Sequence, residues 1–304
     1  MSKLFIADAG YNVGYGHYYR TKSLVSYLRE TRDDIYFYAS EEASSSGLEY
    51  SDGYLNPEGE DVLRLAENIN ANTIYFDGHF GQDFLVKGSL GEGLGVVNYQ
   101  NLSDNVYPSI YVSPYDNDPR TNNYSKSSKY NTYEGLKYFI IRDQVRKMEK
   151  DMSNSKSPYT IAFTAGGSDP YRFTEKFCSC AKSCSRRDLK FDVYVGSHMP
   201  EDRVKRIKHK FDTCNINTLY FDLGSLLNSS LVVVPLSVTA FELLYLNKPV
   251  SVFNLPDKLD LEHIFSSKPP LYSLDDISAS FGSSVNHVVE NVNEIIHRVR
   301  SALH

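Results

Sequence analysis

The residues with chemistry in them begin at Gly14-Tyr15-Gly16-His17-Tyr18-Tyr19-Arg20. This stretch follows the apolar run Leu4 to Gly10 and precedes a segment patterned as a helix, Thr21 to Arg29. A strand, a glycine-containing turn and a helix start gather backbone N–H groups and the positive end of a helix dipole at one point. Such a point suits an anion such as a phosphate. His17 adds a titratable ring, and the dipole disfavours imidazolium there, which leaves a ring able to accept a proton. A lone histidine reads first as a capping or core residue. Two glycines just before it and Arg20 one turn later argue for function. The turn is not a dinucleotide fingerprint, because Tyr19 stands where the third glycine belongs. Nor is it a P-loop, which needs lysine followed by serine or threonine.

Three further constellations share this logic. Gly166-Gly167-Ser168-Asp169 leaves room for close backbone approach by a ligand, and Ser168 with the following helix N-terminus can hold a diphosphate. The bland alternative is a tight connection with Asp169 as a cap. Ser237 and Thr239 open a helix one turn before Glu242; the hydroxyls suit phosphate, and the carboxylate can accept from a ribose diol. A plain helix start with an acid in its first turn explains them as well. Asp77-Gly78-His79-Phe80-Gly81 ends a strand, where Asp77 and His79 can meet substrate. Asp116-Asn117-Asp118 has a metal-binding spacing but sits in a polar loop and reads as a surface turn, so no metal is assigned. His263, His287 and His297 read as surface or helix-packing residues.

The elements that must position these residues alternate strand and helix. Leu4–Ala9, Ile35–Ala39, Thr73–Phe76, Leu94–Tyr99, Ile110–Val112 and Tyr138–Ile141 read as strands of a first half. Helices are expected at Thr21–Arg29, with Leu24, Val25 and Leu28 inward, at Asp61–Asn70, and at Arg142–Met152. Residues 40–60 read as a loop or short irregular elements, and 114–133 as a long loop. The polar stretch Ser153–Pro158 is a candidate linker. The pattern then restarts: strand Tyr159–Thr164, helix Tyr171–Ser183 with Asp169 as N-cap and Pro170 first in the helix, and strands at 190–195, 217–221, 231–234 and 250–253. Valines and isoleucines from Val285 to Val299 step by three and four, an amphipathic helix at the end of the chain. Alternation of this kind predicts parallel sheets in an α/β fold, with a first domain over 1–152, a second over 153–284 and a final helix over 285–304. Two such halves imply a ligand cleft at the carboxyl ends of their strands.

Bulk properties narrow the class. The chain has 304 residues, 41% hydrophobic and 23% charged, with a formal charge of -6. That balance suits a globular protein and gives no sign of a nucleic-acid or polybasic membrane surface. The basic run Lys205 to Lys210 reads as a solvated helix face. No apolar run approaches the roughly 20 residues of a membrane span, and the N-terminus opens into a strand without a leader, so a cytoplasmic location is expected. Cys178, Cys180, Cys184 and Cys214 form no C-x-x-C pair and read as reduced thiols.

Taken in order, the G-x-G-H-x-x-R turn, the Asp77 strand end, Tyr133-Glu134-Gly135-Leu136 with Ile141-Arg142, the Gly166-Gly167-Ser168-Asp169 turn and the Glu242 helix resemble one family. It is the UDP-sugar hydrolase of pseudaminic acid biosynthesis (PseG) and the related spore-coat polysaccharide proteins. The resemblance covers about residues 1 to 265. It implies a GT-B fold, two Rossmann-like domains, related to the peptidoglycan N-acetylglucosaminyltransferase. It also implies a UDP-sugar as ligand, no cofactor, and His17 as the base that activates water against the sugar C1. Gly14, Gly16, Arg20, Asp77, His79 and Asn254 would then meet the sugar side. Gly166, Gly167, Ser168, Ser237, Thr239 and Glu242 would hold the nucleotide. The chain departs from the family at Leu255, where a glutamine is usual, and at Phe80, where a tyrosine is usual and Gly78 is inserted. The leading expectation is hydrolysis of a UDP-linked deoxy-diacetamido sugar. The alternatives are a GT-B glycosyltransferase, in which His17 deprotonates an acceptor hydroxyl, and a non-catalytic nucleotide-sugar-binding protein.

Overall fold

The computed structural model describes residues 2–11, 13–31, 33–44, 48, 50–55, 61–78, 95–99, 110–113, 131–134, 138–148, 160–184, 188–213, 215–235, 237–246 and 248–253. Outside them lie the proposed linker, the terminal helix, the Asp116–Asp118 turn, Cys214, the three late histidines, and His79, Phe80, Asn254 and Leu255. The chain divides into two compact units, Met1–Asp143 and Gln144–His304.

In the first unit the described elements are β1 (Ser2–Ala7), α1 (Gly16–Arg29), β2 (Ile35–Ser40), α2 (Glu41–Ser44), β3 (Gly53–Leu55), α3 (Asp61–Asn68), β4 (Ala71–Asp77), β5 (Gly95–Tyr99), β6 (Ile110–Ser113) and β7 (Asn131–Glu134). They form a seven-stranded sheet in the order β3-β2-β1-β4-β5-β6-β7, with every strand pair parallel. Helix α4 (Asp143–Met148) follows, starting on the last residue of this unit. A parallel strand is covered on both faces, so β1 is apolar at successive positions. Phe5 and Ala7 face a cluster with Tyr18, Val25 and Phe37 on the α1 side. Leu4 and Ile6 face Val62, Ala66 and Phe76 on the α3 side. Leu24 and Leu28 pack against the first cluster, as their spacing predicts.

Unit two holds β8 (Thr160–Thr164), α5 (Phe173–Ser183), β9 (Lys190–Val195), α6 (Glu201–Phe211), β10 (Ile216–Tyr220), α7 (Leu223–Leu226), β11 (Leu231–Pro235), α8 (Val238–Tyr245) and β12 (Val250–Phe253). Its parallel sheet runs β10-β9-β8-β11-β12, the same winding order as the first five strands of the other sheet. Its core stacks Phe163 on Phe177, with centroids 4.3 Å apart. Cys178 is buried within that core and, like Cys180 and Cys184, is a free thiol. Lys205, Arg206, His209 and Lys210 line an exposed face of α6, as expected of that basic run. Two Rossmann-like α/β parts with parallel sheets are therefore observed, the fold class the sequence implied.

Three sequence expectations need correction. Helix α1 begins at Gly16, not Thr21, so His17 and Arg20 belong to the helix itself. Residues 139–141 form no strand; Asn131–Glu134, placed in the long loop, is the edge strand instead. Phe139 is buried nonetheless, so its apolar character serves packing beside the sheet rather than pairing within it. In the second unit Pro170 is not the first helical residue, because Tyr171 and Arg172 intervene before α5.

Candidate functional site

In a sheet of this order a ligand crevice forms where neighbouring connections leave in opposite directions, at the carboxyl ends of the first and fourth strands. In the first unit those are β1 and β4, which pair from Lys3↔Thr73 to Ala7↔Asp77. The segment after β1 carries His17, and Asp77 is the last residue of β4. Topology alone brings them to one edge.

The turn between β1 and α1 is held from several sides. Asp8 donates its N–H to Asp77 O at 2.9 Å. Ala9 donates its N–H to Ser40 Oγ and accepts the same hydroxyl at its carbonyl, each at 3.0 Å. Gly10 and Gly14 exchange backbone hydrogen bonds, closing a small loop, and Gly14 takes φ +81°, a conformation glycine tolerates best. Tyr15 is then the N-cap residue, and its side chain makes no cap hydrogen bond. The first turn of α1 carries no acid either, so its N-terminal dipole is not answered by a carboxylate in that turn.

His17 sits in that first turn with its side chain 11% exposed. Its Nδ1 lies 2.8 Å from Asp77 Oδ1 and 2.8 Å from Arg20 Nη2. Arg20 donates Nε–H to Asp77 Oδ2 at 2.6 Å and Nη2–H to Asp77 Oδ1. Thr21 Oγ1 donates to Asp77 Oδ2 at 2.9 Å. Asp77 is fully buried and Arg20 is 2% exposed. Burial pushes the Asp77 carboxyl up, but the Arg20 charge and the hydrogen bonds from Arg20 and His17 outweigh it, and the net direction is down. The carboxylate is ionised and meets three side chains of α1, accepting from Arg20 and Thr21 and lying beside the His17 ring.

The second unit repeats the layout with β8 and β11 adjacent. Gly166, Gly167 and Ser168 follow β8, and Gly166 takes φ +88° with open space where a Cβ would stand. Ser168 is buried. Asp169, also at positive φ, turns its carboxylate onto the N-terminus of α5, accepting from Phe173 N at 2.8 Å and Thr174 N at 3.0 Å. Arg203 of α6 donates to Asp169 Oδ2 at 2.8 Å and to its carbonyl at 2.7 Å, and pairs with Glu175. The helix N-terminus that the sequence offered to a diphosphate beside Ser168 thus already holds an anion from the chain itself. What this turn presents is the backbone around Gly166 and Gly167.

Helix α8 is the contrast. Its N-cap, Ser237, makes no side-chain cap bond, and Ser237 Oγ is buried with no hydrogen-bond partner among the described residues. Its first turn has no acid. Thr239 is half-buried beside it, and Glu242 is fully buried, so a ribose reaches that carboxylate only if its cover moves. A buried hydroxyl left unbonded at a helix start is costly.

Residue for residue the chain is 26% identical over 269 residues to the uncharacterized protein MJ1062 of Methanocaldococcus jannaschii, covering 83% of this chain and 55% of that one. The chain therefore spans about half the length of that curated relative. No protein-family profile matches it. Among solved structures it is similar to MurG of Acinetobacter baumannii (TM-score 0.60, 12% identity, 99% of this chain and 95% of the other). It is similar to the spinosyn rhamnosyltransferase SpnG complexed with thymidine diphosphate (TM-score 0.62, 14% identity, 100% and 96%). It is also similar to the UDP-GlcNAc 2-epimerase of Neisseria meningitidis bound to UDP-GlcNAc (TM-score 0.61, 13% identity, 100% and 97%). At these identities the likeness is one of fold. The fold is GT-B.

Sequence reading found His17, Arg20 and Asp77 but saw no link between Arg20 and Asp77, which sit 57 residues apart. It missed Arg203 and Gly196. A Cβ on Gly196 would stand 2.0 Å from Gly167 O and 2.3 Å from Gly166 O, so this glycine lets the end of β9 pass under the Gly166–Gly167 turn. The only signal was a glycine directly after a strand. Among the described residues no helix is long and apolar enough to cross a membrane, and no three His, Cys, Asp or Glu side chains converge on a metal position.

Proposed function

We propose that this chain is a nucleotide-sugar-dependent glycosyltransferase with His17 as its general base. His17 takes the proton of an acceptor hydroxyl as that oxygen bonds to the anomeric carbon of the donor sugar. The bond from that carbon to the diphosphate oxygen breaks, and its electron pair leaves with the nucleoside diphosphate. The anion-favouring start of α8, with Ser237 and Thr239, holds the diphosphate, and the Gly166–Gly167 backbone assists. The observation that carries this reading is the half-buried His17 at an uncapped helix start, bonded to a buried carboxylate at the switch point of a GT-B unit. Support comes from the similar folds, two of which hold thymidine diphosphate and UDP-GlcNAc.

A second reading keeps the same groups and replaces the acceptor by water, giving a UDP-sugar hydrolase. The resemblance of the ordered motifs to those of the pseudaminic acid pathway enzymes favours it. The test is a panel of UDP- and dTDP-sugars with and without sugar acceptors, with nucleotide and glycoside products quantified. Nucleotide release that requires an acceptor, with a new glycoside formed in equal amount, supports the transferase. Release at full rate in buffer alone overturns it in favour of hydrolysis.

A further inference from the structure

The segment that follows β9 lies against the Gly166–Asp169 turn at several points. The place where a Cβ would stand on Gly196 is 2.0 Å from Gly167 O and 2.3 Å from Gly166 O, so both carbonyls face this glycine. His198 donates its N–H to Gly167 O at 3.1 Å. Arg203, buried in the first turn of α6, donates to Asp169 O at 2.7 Å and to Asp169 Oδ2 at 2.8 Å, while Glu175 accepts from its Nε at 2.8 Å. The segment is itself tied down. Met199 donates its N–H to Gly196 O at 3.1 Å, and Arg203 donates its N–H to Pro200 O at 2.9 Å.

These contacts set the peptide planes of the turn. Its peptide bonds are trans, and in a trans peptide C=O and N–H point to opposite sides. Gly166 and Gly167 carbonyls that face the end of β9 put the N–H groups of Gly167 and Ser168 on the side away from it. Strand β8 has β9 on one side and β11 on the other, so that side is the β8–β11 crevice, beside which α8 starts. Gly167 is half-buried and within reach of a ligand there, whereas Ser168 is buried. A glycine pair left to itself would not keep one aim.

We infer that the segment Gly196–Arg203 is a brace that aims the Gly167 N–H at the diphosphate of a bound nucleotide, with Arg203 a positioning residue that acts through Asp169. The inference rests on the second unit holding the nucleotide. Arg203 grips the residue two after Gly167 by its carbonyl and its carboxylate together, a task suited to the planar fork of an arginine. Asp169 needs such a grip, because it sits at φ +50°, which a non-glycine residue adopts at a cost. A donor fixed before the ligand arrives has less freedom to lose on binding, which is how preorganised groups add to affinity.

The test compares binding with folding. Affinity for UDP and dTDP is measured by calorimetric titration for the parent, Arg203→Met and Phe211→Ala, beside a urea melt of each. Phe211 is buried at the other end of α6, so its truncation weakens the same helix away from the turn. The expected result for Arg203→Met is an affinity lower by about tenfold or more, the effect of a misplaced hydrogen bond to a charged ligand. Phe211→Ala should be less stable yet bind as the parent does. Parent-like affinity in folded Arg203→Met overturns the inference. So does an equal loss in both variants, which marks a general effect of lost stability. If Arg203→Met fails to fold, amide spectra of the isotope-labelled parent decide: the Gly167 signal should move downfield as nucleotide saturates the protein, and an unmoved signal overturns the inference. A parent that binds neither nucleotide overturns the proposed function and this inference with it, whereas nucleotide binding that ignores Arg203 and Gly167 overturns the inference alone.

Discussion

Arg203 donates to the carboxylate of Asp169 at 2.8 Å, and together they close the N-terminus of α5 from within. Both are buried, and Asp169 sits at φ +50°, so the turn is held in place by its own charges. The first turn of α8 carries no acid of its own. The two helix starts of one unit therefore differ in what they can offer a ligand, although their sequences invited the same reading.

Removing one partner of this pair should unfold the second unit more easily. Asp169→Ala takes away one of the two carboxylates that Arg203 holds and strips two backbone N–H groups of their acceptor. Losing one partner of a buried ion pair costs about 3–5 kcal/mol. Urea denaturation of Asp169→Ala and Arg203→Met should show that loss for each, and a double variant should lose much less than the sum.

At Ser237 stability and binding should move in opposite directions. Ser237→Ala removes a buried hydroxyl that has no partner among the described residues, so the unliganded protein should be unchanged or slightly more stable. Affinity for UDP or dTDP should fall about tenfold, the equivalent of ~1.4 kcal/mol for one lost hydrogen bond. Calorimetric titration beside a thermal melt reads both. A drop in melting temperature with unchanged affinity would make Ser237 an ordinary structural residue.

Substituting His17 tests the chemistry directly. His17→Asn keeps a polar side chain of similar reach but cannot take a proton. Turnover should fall about 10²–10⁴-fold, the usual contribution of a general base. Binding of the nucleotide alone, assigned here to the second unit, should be unaffected. Activity close to the parent's would remove His17 from the reaction.

Gly196→Ala should damage the Gly166–Gly167 turn without touching it chemically. The new methyl group meets two carbonyl oxygens and must push backbone, at a cost of about 1–3 kcal/mol for overpacking. Weaker nucleotide binding should accompany the loss, while Gly224→Ala, with no atom nearer than 3.5 Å, should do little by steric contact.

Lys248 gives a prediction in pH. Lys248 is 3% exposed, its ammonium group donates to the carbonyls of Leu227 and Ser229, and burial pushes its pKa down to about 8. An unfolded lysine titrates near 10.4. Between those values the unfolded chain keeps a proton the folded chain has shed, so this group adds stability as pH rises through that window. The stability of the parent minus that of Lys248→Met should therefore climb from about pH 8 to about pH 10. Parallel curves would show the group titrating normally.

Much of this was legible in the sequence. Strand and helix alternation marked β1, β2, β4, β8, β9 and β11 closely, because strands covered on both faces are apolar throughout and leave a strong signal. Edge strands leave a weak one. Asn131–Glu134 is polar and follows a Ser-, Asn- and Lys-rich stretch, so it reads as loop, while the more apolar Tyr138–Ile141 reads as strand and is not one. The sequence pattern places the start of α1 too late because Gly16, His17, Tyr18 and Tyr19 are weak helix formers; burial of Tyr18 and Arg20 holds that first turn instead. The turn glycines and His17 stood out by type and spacing. The partnership of Arg20 with Asp77, and of Arg203 with Asp169, left no local trace, since each depends on elements meeting from far along the chain.

That distance has a kinetic consequence. His17 and Asp77 are 60 residues apart, and β4 must dock beside β1 before the carboxylate reaches the ring. Loop closure of that size is paid early in folding and rewarded late. A chain in which α1 has formed but β4 has not yet docked owns a histidine at a helix start without the Asp77 carboxylate beside its ring. With His17 in its proposed role, activity after dilution from denaturant should return no sooner than the β1–β4 pair forms, whereas helix formation alone should restore none.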